Sequence, residues 1–218
     1  MRSRLRIDLH LHTRGSWDSL SDPEAILKRA KALGIGRVAI TDHDRLGVAL
    51  EMAACYPERV IPGEEIRTWE GFDLIGLYLQ EEIPRGTPAA ECCRRIRAQG
   101  GLVYLPHPYA PGKGGGGRAA ESIAPEVDIV EAFNARLLRP EQNRRAVALA
   151  QRHGLARGAG SDAHTVREIG NAWVEVDPHP NEPRALLEAL RSATVHGRRA
   201  HPWVFLGSNW AKVRGWIG

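Results

Sequence analysis

Short aliphatic runs in this chain end, one after another, in residues that titrate or bind metals. Arg37-Val38-Ala39-Ile40 runs into Thr41-Asp42-His43-Asp44, and Val60-Ile61 leads to Gly63-Glu64-Glu65. Leu102 to Leu105 meets Pro106-His107-Pro108, and Val127 to Phe133 stops at Asn134. Ala156 to Gly160 leads into Ser161-Asp162-Ala163-His164. Stretches of helical period alternate with these runs, and repeated strand–helix units specify a mostly parallel α/β architecture. Polar clusters at so many strand ends fit a closed or nearly closed barrel, whose functional groups gather at the C-terminal ends of its strands. An open doubly wound sheet would concentrate them at one crevice. No Gly-x-Gly-x-x-Gly follows the first strand, which counts further against a dinucleotide site.

That first strand, Leu5 to His12, carries the densest pattern. Side chains two apart share a strand face. Asp8, His10 and His12 are therefore expected on one face, and Ile7, Leu9 and Leu11 on the other. Two imidazoles at neighbouring same-face positions can grip one metal ion.

Helix signals are clear between the strands. Asp22 or Ser21 is the expected N-cap of a helix with Pro23 in its first turn. Ile26, Leu27, Ala30 and Leu33 give it an apolar stripe, and Gly34 stops it. Ala89 to Gln99 reads as a helix ended by Gly100, Pro140 to His153 as one ended by Gly154, and about Glu182 to Arg191 as a third. Gly71 divides two strands, as in a hairpin. Ala172 to Val176 is a further strand.

The 218 residues suffice for one domain with a sizeable core. At 43% hydrophobic and 26% charged, the composition is that of a soluble globular protein. No segment has the apolar length needed to span a bilayer. The basic N-terminus lacks an apolar signal core, so a cytoplasmic protein is expected. Cys55, Cys92 and Cys93 have neither the number nor the spacing of a disulfide framework or a zinc ribbon. The net charge of +4 leans toward acidic partners without singling out nucleic acid. Nothing in the sequence assigns an oligomeric state.

His10-Leu11-His12, Thr41-Asp42-His43-Asp44, Gly63-Glu64-Glu65, Pro106-His107-Pro108 and Gly160-Ser161-Asp162-Ala163-His164 occur in that order. Together they resemble the polymerase and histidinol phosphatase (PHP) domain family, from about residue 5 to residue 176. The resemblance implies a distorted (β/α)7 barrel over residues 1–200, followed by a C-terminal tail, 201–218, packing on it. It also implies two or three divalent ions of zinc, manganese or iron. Carried over residue by residue, His10 and His12 would hold one ion with Asp162. Glu65 would bridge it to a second ion that His107 also binds, and Asp18, His43 and His164 would hold a third. The Gly-x-Glu usage of the family selects Glu65 over Glu64, and strand alternation also turns only one of the two inward. Some members carry His where this chain has Asn134, which leaves Asn134 as a metal or substrate contact.

Chemistry supports these residue types. Mixed imidazole and carboxylate ligands suit such ions better than thiolates, and a carboxylate has the two oxygens that a bridge needs. Paired ions can activate water and clamp a phosphoryl oxygen. Asp42 is expected among the catalytic groups, as a carboxylate orienting a ligating imidazole, and Asp8 in a similar supporting role. Arg136, two residues after Asn134, is placed to grip a phosphate. The glycine-rich run Gly112 to Gly117 reads either as a plain surface loop or as a flap carrying Lys113 or Arg118 to a phosphate. Trp17 packs in the core or stacks at the site mouth. His153, His179, His196 and His201 are expected in ordinary roles.

The reading that follows is a metal-dependent hydrolase of a small phosphomonoester, with an ion-bridging hydroxide as nucleophile. An exonuclease on oligonucleotide ends, a non-catalytic protein of the same fold and an amidohydrolase are the alternatives.

Overall fold

A computed structural model describes residues 4–201. Its strands join in a single sheet of nine, in the order β7-β6-β5-β4-β3-β2-β1-β8-β9. In chain order the elements are β1 (Leu5–Leu11), α1 (Pro23–Ala32), β2 (Arg37–His43), α2 (Gly47–Cys55), β3 (Val60–Arg67), β4 (Asp73–Leu77), α3 (Ala89–Ala98) and β5 (Leu102–Leu105). They continue with α4 (Arg118–Ser122), β6 (Ile129–Asn134), α5 (Pro140–His153), β7 (Ala156–Gly160), β8 (Ala172–Val176), α6 (Pro183–Leu190) and β9 (Thr194–Gly197).

The sheet is mixed rather than mostly parallel. β1–β2, β2–β3, β5–β6 and β6–β7 pair parallel, whereas β4 and β8 run antiparallel to both of their neighbours. The cause at β4 is the short turn at Gly71, whose positive φ of 84° closes a hairpin that no helix could bridge. Closure occurs at the C-terminal rim. There Leu11 bridges Ala163, the Asp162 N–H donates to the His10 carbonyl at 2.8 Å, and the His12 N–H donates to the Ala163 carbonyl at 2.9 Å.

Two apolar cores follow. One lies between the strands and α1 to α5, with Ile26, Met52, Cys92, Ile96 and Leu149 among its members. The other takes Ile7 and Leu9 from β1, Ala39 from β2, Ile61 from β3, Ile75 from β4, Tyr104 from β5, Ile129 from β6, Ala159 from β7 and Val174 from β8. One residue from each of eight strands can meet in a single cluster only if the sheet curves almost fully round on itself. Leu186 and Leu190 of α6 join this inner core. The molecule is thus a nearly closed α/β barrel.

Local signals explain the helices. Asp22 caps α1 by accepting from the Ala25 N–H, with Pro23 at the first position. α5 begins at Pro140 and ends at the left-handed Gly154, as its sequence requires. α2 was not foreseen, for it has no side-chain cap bond and, with Glu51 its one charged residue, no distinct apolar stripe. β9, only four residues long, was missed as well. The strict alternation expected of β1 also fails. Between Asp8 and Leu11 its register with β2 slips by one residue, so Ile7 and Leu9 join the inner core while Leu11 joins the outer one. The expected packing of the C-terminal tail, with Trp203, Trp210 and Trp216, falls outside the described residues.

Candidate metal centre

At the rim where β1 meets the segment after β7, five imidazoles and three carboxylates converge. His10 lies on β1 and His12 just beyond it, Asp18 is in the following loop, His43 ends β2 and Glu65 lies in β3. His107 follows β5, and Asp162 and His164 follow β7. His107 and Asp162 hold left-handed backbones, with φ of 26° and 52°. Such conformations cost roughly 1–3 kcal/mol each and persist where surrounding contacts impose them. Here the His107 N–H is held by Glu131 at 2.7 Å, and the Asp162 N–H by the His10 carbonyl.

Glu65 is the hub. One oxygen lies 3.3 Å from the Nε2 atoms of both His10 and His12 and 3.1 Å from His43 Nδ1. Its other oxygen lies 2.9 Å from His107 Nε2. Asp162 Oδ1 lies 3.4 Å from His12 Nε2 and 3.7 Å from His10 Nε2. Asp18 Oδ2 lies 3.1 Å from His164 Nε2 and 3.7 Å from His43 Nε2. Three sets, His10–Glu65–His107, His10–His12–Asp162 and His12–His43–His164, each bring three ligand atoms within 4.8 Å of one another.

Hydrogen bonds show which nitrogens face inward. The single hydroxyl proton of Ser16 goes to Asp42 at 2.9 Å, so Ser16 Oγ accepts from His12 Nδ1 at 3.1 Å. His10 Nδ1 lies 3.0 Å from Glu131, and His164 Nδ1 donates to the Asp162 carbonyl at 2.9 Å. The Nε2 lone pairs of His10 and His12 therefore face each other at 3.1 Å, with carboxylate oxygens beside them. Acceptors converging without donors between them need a cation, and this donor set fits a divalent metal. Asp18 Oδ1, buried and without a hydrogen-bond partner, points to the same requirement.

Electrostatics agree. Burial disfavours the His10 imidazolium, but Glu131, Glu65 and Asp162 outweigh it and hold its pKa well above the usual value. Burial, with His164 and His43 nearby, drives His12 down to about 3. A divalent ion bound between them would compete with protons for these nitrogens. Burial alone would raise Asp162 and Asp18, yet the imidazoles hold Asp162 well below its ordinary range and Asp18 at about 2.

The other expected residues sort as follows. Arg136 is buried at the cleft wall, with its guanidinium 3.4 Å from Glu168 and 3.5 Å from the Asp162 carbonyl. Lys113 lines the same cleft; Arg118, exposed at the start of α4, does not. The glycine-rich loop is no free flap. Gly114 packs against Asp73 so closely that an added Cβ would sit 1.5 Å from a carboxylate oxygen, and its carbonyl accepts from the Asp73 N–H. Asp42 lies behind the cleft, its oxygens taken by Thr13 and Ser16, and reaches His12 only through Ser16. Asp8 binds the backbone N–H groups of His10 and Ser161 rather than an imidazole, because the bulge in β1 turns it away from the cluster. Asn134 is fully buried, with its amide donating to Glu131 and Asp162 and its oxygen accepting from the Arg136 N–H, so the atom it turns toward Asp162 is a donor nitrogen rather than a metal-binding oxygen. Glu64 points the other way and accepts from the Ile83 N–H. Trp17 is 57% exposed at the cleft mouth. The remaining histidines stand apart: His153 ends α5, His179 contacts Arg37, His196 stacks on Trp173, and His201 is exposed at the edge of a different cavity.

Sequence reasoning missed Glu131, Glu168, Arg67, Asp73 and Arg85. The last three line the cleft, where Asp73 pairs with Arg67 at 2.7 Å and Asp44 with Arg85 at 2.8 Å. A polar residue in an otherwise apolar strand was the available signal for Glu131.

Comparison with known proteins accords with this geometry. A profile of the PHP domain matches residues 8–87, and one of the PHP-associated domain matches residues 140–195. The uncharacterised protein MJ0417 of Methanocaldococcus jannaschii is 35% identical over 202 residues, spanning 87% of this chain and 81% of that protein. The chain belongs to the PHP family. Its PHP fold is similar to that of PsfC from Pseudomonas syringae, with a TM-score of 0.69 at 18% identity over 97% of this chain and 99% of that chain. The PHP region is also 34% identical over 113 residues to the 5'-3' exoribonuclease Rnm of Salmonella typhimurium, covering 44% of this chain but 36% of that protein.

Proposed function

We propose that the chain is a metal-dependent phosphoric ester hydrolase acting on a small phosphomonoester, a phosphorylated metabolite or nucleotide. The observation that carries the reading is the convergence of eight ligand-type side chains beside Arg136 and Lys113. His10, His12 and Asp162 would hold one ion, Glu65 would bridge it to a second that His107 also binds, and Asp18, His43 and His164 would hold a third. Zinc, manganese and iron(II) all suit imidazole–carboxylate sites. When bound, such ions supply a nucleophile at neutral pH and neutralise charge on the phosphoryl oxygens.

The residues of the chain do the rest. Arg136 contacts the substrate phosphate, and Glu168 and the Asp162 carbonyl fix its guanidinium. Lys113 adds charge from the opposite loop. Asp42 is a positioning residue that sets the His12 ring through Ser16. A cavity of about 200 Å³ accommodates a phosphoryl group and a short alcohol, not a folded partner. Three free cysteines suit a reducing, cytoplasmic setting. Among the described residues no helix is long and apolar enough to cross a membrane.

One observation favours an exonuclease as the second reading. A neighbouring cavity shares Lys113 and Arg136 with the cleft and adds Arg139 and Arg145, a cationic flank on which further phosphates could lie. The deciding experiment is a screen of phosphomonoesters, nucleotides, phosphodiesters, oligonucleotides and an amide with Mn²⁺, Zn²⁺ and Mg²⁺, scored by phosphate release for the monoesters and nucleotides and by chromatography of the products for the rest. Turnover of monoesters alone is expected. Cleavage of oligonucleotides without monoester turnover establishes the second reading instead, and turnover of an amide but of no phosphate ester rejects both.

A further inference from the structure

We infer that Glu131 is a positioning residue that dictates which nitrogen of His10 is offered to the metal ions, and that ion capacity therefore depends on it. The inference rests on the metal-centre reading above.

Glu131 is fully buried in β6, hydrogen-bonded by three groups and flanked by the buried Tyr104 hydroxyl. Oε2 accepts from the His107 N–H at 2.7 Å and from the Asn134 amide at 3.0 Å. The orientation of that amide is set by its own oxygen, which accepts from the Arg136 N–H at 2.8 Å. Oε1 lies 3.0 Å from His10 Nδ1. A carboxylate offers acceptors only, so Nδ1 carries the proton and Nε2 turns a bare lone pair toward Glu65, His12 and Asp162. One side chain thus orients a ring on β1, the strained backbone at His107 and the Asn134 amide, which in turn donates to Asp162 at 3.2 Å.

Two local features make room for it. The register of β6 with β7 shifts between Glu131 and Phe133, which lets Glu131 and Asn134, three positions apart, serve the same side. Gly160 leaves the necessary space, for a Cβ there would sit 2.4 Å from Glu131 Oε1 and 2.3 Å from His10 Cβ.

The consequence is specific to the tautomer. In Glu131→Gln the volume is kept, and the two fixed donors hold the new amide oxygen at the Oε2 position. The amide nitrogen then faces His10 Nδ1 as a donor. Nδ1 must accept, the proton moves to Nε2, and His10 loses the lone pair it offers to two of the three ligand sets. Asp18, His43 and His164 are untouched. Glu131→Gln should therefore weaken the ion that His10 holds by about 10–100-fold and keep the one held by Asp18, His43 and His164.

The test is zinc titration of ion-stripped wild-type protein and Glu131→Gln, with stoichiometry from elemental analysis. Nitrogen-15 histidine spectra of the zinc-loaded wild-type protein supply a measurement that needs no variant. A fall in stoichiometry in the variant, with His10 protonated at Nδ1 in the wild type, is the expected result. Equal zinc uptake by the two proteins overturns the inference and leaves the metal centre standing. So does a wild-type His10 protonated at Nε2. A wild-type protein that takes up no zinc, manganese or iron overturns the metal centre, and this inference with it.

Discussion

His10 and His12 illustrate how one residue pair carries both the reading and its tests. Their Nε2 atoms face each other at 3.1 Å, which only a shared proton or a metal ion makes favourable. Replacing both by Ala should remove the ion that they hold and abolish turnover while phosphomonoester hydrolysis persists in wild type; a fully active double variant contradicts the assignment. Arg136→Ala should lower kcat/KM by roughly ten- to a hundredfold, the loss expected for a hydrogen bond to a charged group. Steady-state kinetics on a monoester measures it. The sign of the pH dependence follows from His107. Burial opposes its charged form, but Glu65 prevails and raises its pKa to about 9. Below that pH an ion must displace a proton, so apparent affinity for zinc should rise with pH up to about 9 and level off above it. Calorimetry in buffers of different ionisation enthalpy reads the released protons. An affinity that falls as pH rises over that window contradicts the account. At this scale the candidate ligands were legible because all but Asp18 are a His, Asp or Glu in a strand or just beyond its end. Glu131 was not, since simple alternation separates it from Asn134 until the shift in β6 is known.

Elements whose boundaries are written in local chemistry were readable. α5 runs from Pro140 to His153 with a left-handed Gly154 behind it, and α1 starts at an Asp22 cap. Asp22→Ala should destabilise the protein by about 1 kcal/mol in urea unfolding, the typical value of an N-cap; no change would mean that the cap bond contributes nothing. Where tertiary packing decides, the sequence was silent. α2 is apolar but for Glu51, with neither cap nor periodicity, and β9 pairs along the edge that β8 offers. The glycine-rich loop belongs to this class. Its composition suggests freedom, yet Gly114 is locked against Asp73 at a φ of 76°. Gly114→Val should unseat the cleft wall and cost roughly 1–3 kcal/mol from the strained backbone alone. Urea unfolding checks it, and a variant as stable as wild type would show that the wall tolerates a side chain there.

The whole molecule is a barrel closed at one rim, and the closure brings the site together. The backbone bonds that join His10 and His12 to Asp162 and Ala163 also bring β1 ligands next to those that follow β7. Clusters at many strand ends foretold that arrangement. The antiparallel β4 and β8 were not foreseen, because strand direction depends on which neighbours the closed sheet requires rather than on residue type. The central claim is that this rim binds divalent ions and that phosphate ester hydrolysis depends on them. Phosphate release from a monoester by chelator-stripped protein, before and after Mn²⁺ or Zn²⁺ is returned, tests it most directly. The account predicts no release from the stripped protein and recovery on adding the ion. Undiminished release by the stripped protein would contradict it.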